Sequence, residues 1–157
     1  MSKYILLSGL AFLGACTSTG TAPATDSPAS TSAPAAAATS LPAQTLQPGT
    51  CGLFLWTRDE PRHFVLFFPA GAATAEAIVD GRQQTLRVDS QDGDVFGQFL
   101  TRMAFSSPEG SPVTLTLAPG EEIEGGRRVP LARMTSTNAE GWEIITPLTG
   151  LTACQPE

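Results

Sequence analysis

The chain has 157 residues, of which 15 are acidic and 9 basic, for a formal net charge of −6. That length supports one modest domain once the Ser/Thr/Pro/Ala-rich first third is set aside, and the acidic balance excludes a nucleic-acid surface, which needs a basic face. A single histidine also excludes a multi-histidine metal site within one chain.

Met1-Ser2-Lys3 carries one positive charge, and residues 4–15 form an apolar run broken only by Ser8 and two glycines. The run is too short to span a bilayer core, which takes roughly twenty residues, and reads as the apolar core of an export signal covering residues 1–15. It ends in Leu13-Gly14-Ala15-Cys16, which resembles the lipobox of bacterial lipoproteins: an aliphatic residue, two small residues, then cysteine. The resemblance implies cleavage before Cys16 and diacylglyceryl attachment to its thiol. Two or three acyl chains anchor firmly where one does not, because each buried methylene contributes about 0.8 kcal/mol. Thr17 stands where the enteric inner-membrane retention signal of this class has aspartate, so the resemblance implies the outer membrane, with the protein facing the periplasm. Loss of Lys3, the only lysine, leaves fifteen acids against eight arginines, a net charge of −7 that suits a cationic protein partner. Membrane contact is then expected through the lipid alone.

Residues 17–50 hold almost nothing apolar larger than alanine and place prolines at 23, 28, 34, 42 and 48. Such a stretch buries too little surface to offset its ordering entropy, so residues 16–50 are expected to form a lipidated, disordered linker. Random-coil scaling gives the linker a reach of roughly 30 Å, and about three times that when stretched.

From Cys51 onward apolar runs alternate with turn clusters, which predicts an all-β domain over residues 51–157. Residues 52–56 and 63–68 are continuous apolar runs and predict a central hairpin buried on both faces. Residues 74–79 and 82–88 flank Asp80-Gly81, a pair favoured in two-residue hairpin turns, which sets Ala75 opposite Leu86 and Ala77 opposite Gln84. Residues 89–94 read as a polar loop. Residues 95–105 read as one bent strand, with Gly97 marking a bulge. Residues 113–117 alternate cleanly, and residues 119–126 form an acidic turn bracketed by Pro119-Gly120 and Gly125-Gly126. Two last strands, near residues 129–135 and 142–146, carry Pro130 and Pro147, which predict edges or strand ends. Seven or eight strands without a helix predict a small antiparallel barrel or sandwich. Cys51 and Cys154 bracket this domain and, with Cys16 lipidated, are the only thiols left in an oxidising compartment. A disulfide between them is the economical reading.

No catalytic or metal-binding constellation emerges. His63 opens an apolar strand and is assigned to packing. The serines lack a G-x-S-x-G elbow and the glycines lack a phosphate loop. Asp89, Asp92 and Asp94 do not follow an EF-hand spacing, and Glu121, Glu122 and Glu124 read as a solvated turn. Neither enzymatic activity nor a cofactor is expected.

One segment carries a resemblance. Leu86 followed by Ser90-Gln91-Asp92-Gly93-Asp94-Val95-Phe96 resembles the Ser-x-Ser-Gly-x-x-Tyr motif of the envelope and periplasmic inhibitors of C-type lysozymes, which are eight-stranded barrels closed by a cysteine pair. A second motif of that family, an aromatic, Lys-Gly, then Ala-Thr-Leu-Thr, falls on Glu109-Gly110 and on residues 113–116. The resemblance implies a partner-binding loop made of Ser90, Asp92, Gly93, Asp94 and Phe96. Asp92 replaces the motif's second serine, and Glu109 stands in place of a lysine that would enter an acidic cleft. The leading expectation is a non-catalytic macromolecule-binding module. The alternatives are an inhibitor of lysozyme or another cationic envelope hydrolase, and a structural part of an envelope assembly.

Overall fold

The computed structural model describes residues 37–157. The expected export signal, the expected lipid attachment at Cys16 and the expected linker up to residue 36 lie outside the described residues. Nine strands follow in order: β1 (Cys51–Thr57), β2 (Phe64–Pro69), β3 (Thr74–Val79), β4 (Arg82–Phe96), β5 (Phe99–Ser106), β6 (Pro112–Ala118), β7 (Glu122–Ile123), β8 (Gly126–Thr137) and β9 (Glu143–Cys154). Each long strand pairs antiparallel with its chain neighbour, β6 passes over to β8, and β9 returns to β1, so eight strands close into an up-and-down barrel. The two-residue β7 adds a short flap on the start of β8.

Local sequence accounts for much of this. Asp80 and Gly81 take the positive φ values of 50° and 68° that a tight hairpin turn requires, and Ala75 faces Leu86, Ala77 faces Gln84 and Glu76 faces Thr85. Along β6, Val113, Leu115 and Leu117 point inward and are buried while the threonines between them face water. The interior is packed solid over most of its length by Leu53, Leu55, Leu66, Phe68, Phe105 and Leu148, as expected for a lumen of eight strands. Phe68 sits 5.8 Å from the Phe99 ring and edge-on to Phe105 at 5.7 Å.

Three expectations are corrected. Residues 89–94 are not a loop: β4 runs straight through them, with Ser90 opposite Ala104, Gln91 opposite Met103 and Asp92 opposite Arg102, and two bulges absorb the extra residues. The turn falls instead at Gly97, where φ is 61°, because Phe96 and Phe99 on either side are both drawn into the core. Neither proline ends a strand. Pro130 occupies a bulge in β8 between Val129 and Ala132. The Pro147 carbonyl accepts from the Arg58 N–H just beyond the last β1 pair, so the N–H that proline lacks would also have faced that unpaired side.

The third correction concerns the linker. Residues 37–50 form a strap on the outside of β1 and β2, and the strap and barrel make one compact unit. Ala38 N donates to Gly81 O at 2.7 Å, Leu41 N to Phe64 O at 2.6 Å, and Phe64 N to Ser40 Oγ at 3.1 Å. Leu41 is buried, and Leu46 lies over Gly52, where an added Cβ would meet both Leu46 Cδ2 and Phe67 Cε2 at 2.9 Å. Beneath the strap stand the outward aromatics Phe54, Phe64 and Phe67, and Trp56 stacks at their edge, where it borders an open groove with Arg62 and Arg128. Neighbouring ring centroids are 5.0 to 6.4 Å apart. The hairpin is therefore covered on both faces, as its apolar runs predict, and the second cover comes from a segment whose own composition is poor in apolar residues. Leu41→Ala is expected to destabilise the domain by about 2–4 kcal/mol, read as an earlier thermal melt by circular dichroism. An unchanged melt would mean that the strap rests on the barrel without supporting it.

The two barrel ends differ. At one end Cys51 faces Cys154 across β1 and β9 in the expected disulfide, with an S–S distance of 2.02 Å. Gln98 Nε2 donates to Cys51 Sγ at 3.1 Å, and the Arg127 guanidinium covers the Phe96 ring at 5.6 Å, so the β4–β5 turn and the start of β8 cap this end. The connections at the other end, residues 58–63, 80–81, 107–111 and 138–142, stand around an open mouth.

Candidate functional site

The segment singled out by its motif lies on β4 beyond the reach of β3, whose pairing with β4 stops at Thr74 and Arg87. Residues 89–95 are accordingly exposed on both faces and hydrogen-bonded to β5 alone. Two of the three aspartates already have cationic partners: Asp89 Oδ1 is 3.1 Å from Arg87 Nη2 and accepts from Ser106 Oγ, and Asp92 Oδ2 is 3.6 Å from Arg102 Nη1. These exposed pairs contribute at most about 1 kcal/mol each, but they shield the charge that a cationic partner would read. Gly93 is required where it stands, because φ is 91° and a Cβ would collide with Thr101 Oγ1, which accepts from Asp94 N at 2.9 Å. Phe96 is fully buried and unavailable to a partner, so the motif's aromatic position belongs to the core. Ser90 faces outward opposite Ala104, and with Gln91, Asp94 and Val95, the last 77% exposed, it projects into solvent without a side-chain partner among the described residues. Glu109, in the β5–β6 connection, reaches Arg82 at the start of the neighbouring β4 at 3.9 Å on the rim of the mouth.

A second surface, which the sequence reading missed, lies on the outside of β8 and β9. Cross-strand pairing sets Ala118 beside Leu131, Thr116 beside Arg133, Arg133 beside Pro147 and Thr135 beside Ile145, all facing out. Leu131 is 49% exposed and Ile145 52%. With Pro147 they border a groove of about 500 Å³ whose cationic members, Arg58 and Arg133, join no ion pair among the described residues. Next to it the 138–142 turn is firmly built: Asn138 Oδ1 accepts from Glu140 N at 3.1 Å and from Trp142 N at 2.8 Å, and Trp142 is left 72% exposed. An exposed apolar patch marks an interaction surface, and arginine is among the residues enriched there. The only signal in the sequence was local: Ile144 and Ile145 are adjacent, so in a strand one of them must face out.

His63 lies just before β2, where its N–H donates to Thr57 Oγ1 at 2.9 Å and its carbonyl accepts from Thr57 N at 2.9 Å. No group of three or more His, Cys, Asp or Glu side chains is gathered for a metal among the described residues. No protein family, curated protein or solved structure matches the chain.

Proposed function

We propose that this chain is a lipoprotein of the cell envelope, anchored through Cys16 and favouring the periplasmic face of the outer membrane, whose barrel is a non-catalytic binding module for a macromolecule. The observation that carries the binding role is the exposed apolar face of Leu131, Ile145 and Pro147 between the unpaired guanidinium groups of Arg58 and Arg133. Such a face suits a protein surface that offers apolar side chains bordered by carboxylates. The partner's local charge thus answers the patch and not the net charge of the chain.

The test is site-specific photo-crosslinking of the full chain in its native envelope, with the photoreactive residue at position 145 or at position 90. A discrete adduct from position 145 that disappears in Leu131→Asp is the expected result. Leu131→Asp itself is expected to destabilise the domain by only about 1 kcal/mol, because half of the side chain already stands in water and what is lost is its contact beside Ala118 and some strand propensity. Adducts from position 90 alone would move the site to β4.

The second reading is inhibition of a C-type lysozyme or another cationic hydrolase through that part of β4, and the outward Asp94 and Val95 favour it. It requires inhibition by the parent protein that is lost in Asp94→Lys and untouched by Leu131→Asp. A structural role in an envelope assembly would show instead as stable co-purification after mild detergent extraction.

A further inference from the structure

The open end of the barrel is not filled. Between β1–β3 on one side and β8–β9 on the other lies a cavity of about 350 Å³, within the size range of small-ligand sites, which favour the mouths of barrels. Its apolar wall is formed by Val65, Val79, Met134 and Ile144. Ile144 stands opposite the buried Ser136 on the inward side of the ladder and is nonetheless 38% exposed, so an inward aliphatic side chain faces open space.

A smaller recess of about 70 Å³ adjoins the first and shares Val79 and Asp80 with it. Gln84 reaches into it from β4, inward-facing opposite Ala77. Its Nε2 donates to Val79 O at 3.5 Å, whereas its Oε1 is buried without a partner among the described residues. A buried acceptor with no donor has lost its water and gained nothing in exchange, which asks for a donor from outside the fold. The charges around this acceptor limit what the donor can be. Asp80 and Glu109 line the recess, and the one cation there, Arg82, is already 3.9 Å from Glu109. An anionic head would meet two carboxylates and an acceptor. An ammonium head would find carboxylates but would have to shed its hydration to enter a recess of about 70 Å³, a cost far above that of a neutral group, and Glu109 is already engaged by Arg82. A neutral head with an N–H or O–H meets what the acceptor needs at the lower cost.

We propose that the open end binds a neutral amphipathic molecule, an aliphatic chain ending in an amide or hydroxyl. The chain lies along Val65, Val79, Met134 and Ile144, and the head donates to Gln84 Oε1. This site is separate from the outer face of β8 and β9 and does not depend on that face binding a protein.

The experiment titrates the full chain, carrying Cys16→Ser so that no acyl group of its own competes, with decanamide and with decanoate. Binding is followed by displacement of a fluorescent naphthylamine probe and by the methyl NMR signals of Ile144 and Met134. Saturable one-to-one binding of decanamide that moves both methyl signals is expected, with decanoate weaker by about tenfold or more. Gln84→Leu is expected to abolish the preference for the amide. Ile144→Trp, placed at the open rim where folding is not at stake, is expected to weaken decanamide about tenfold with an unchanged melt. Equal affinity for decanoate would overturn the proposal. So would methyl shifts that never saturate, or decanamide binding indifferent to Ile144→Trp, since each would mean that the recess holds only water.

Discussion

Replacing Cys51 and Cys154 together by alanine is expected to destabilise the domain by about 2–5 kcal/mol and to lower its melting temperature by about 10–20 °C. The bond joins residues 103 positions apart in sequence, so it removes a large share of the freedom of the unfolded chain. Its place in the fold adds to this. Cys51 and Cys154 are the first pair of the β1–β9 ladder, the seam at which the two ends of the chain close the barrel. The same end is capped by the β4–β5 turn, whose Gln98 donates to Cys51 Sγ. Scanning calorimetry of the oxidised parent and the double variant measures the effect. A fall below about 3 °C would mean that the ladder holds the seam without help.

Gly150→Ala is expected to do more damage than any substitution of a single core side chain, costing over about 4 kcal/mol and leaving little soluble folded protein. Gly150 lies in β9 between Leu55 of β1 and Val129 of β8. A Cβ there would run into the carbonyl oxygen of Phe54 and approach Leu55 Cα at 3.0 Å. Both obstacles are backbone, so no side-chain rotation relieves the clash, and β1 must move away from β9 at the seam. Gly126 stands in the same relation to the Thr152 carbonyl and is expected to be equally intolerant. Soluble yield and far-ultraviolet circular dichroism decide the matter; a Gly150→Ala variant that melts within about 2 °C of the parent would refute the steric argument.

What could be read in the sequence follows how local each determinant is. The Asp80-Gly81 hairpin and its register are settled by two residues with positive φ and by alternation on either side, and they appear as expected. The cysteine pairing needed only a count and a compartment. Residues 89–94 read as a loop because their polarity speaks for solvent, which is correct, yet solvent on both faces is also what a strand meets where its neighbour ends. Only the pairing with β5, invisible to periodicity across two bulges, distinguishes these cases. The strap was misread for a related reason: composition weighed what Leu41 and Leu46 could bury by themselves, not the aromatic face offered by β1 and β2. The β8–β9 surface escaped because Leu131 and Ile145 resemble core residues until the ladder shows which way they point.

The strap also decides how the domain meets force. Tension arriving from upstream residues enters at Ala38, and its first resistance is the single bond to Gly81 O, then the Ser40 and Leu41 contacts with Phe64. These are loaded one after another, as in peeling tape, and not all at once in shear, so the strap yields at low load. Past it the geometry changes. Gly49 and Thr50 are bonded to Gln155, and at Cys51 the load crosses a covalent bond into β9, which leaves the barrel intact. A sustained tug is therefore expected to strip the strap and bare Phe54 and Phe67 before the seam opens, and the barrel left behind has lost the support of Leu41: a mechanical fuse whose release weakens what it guards.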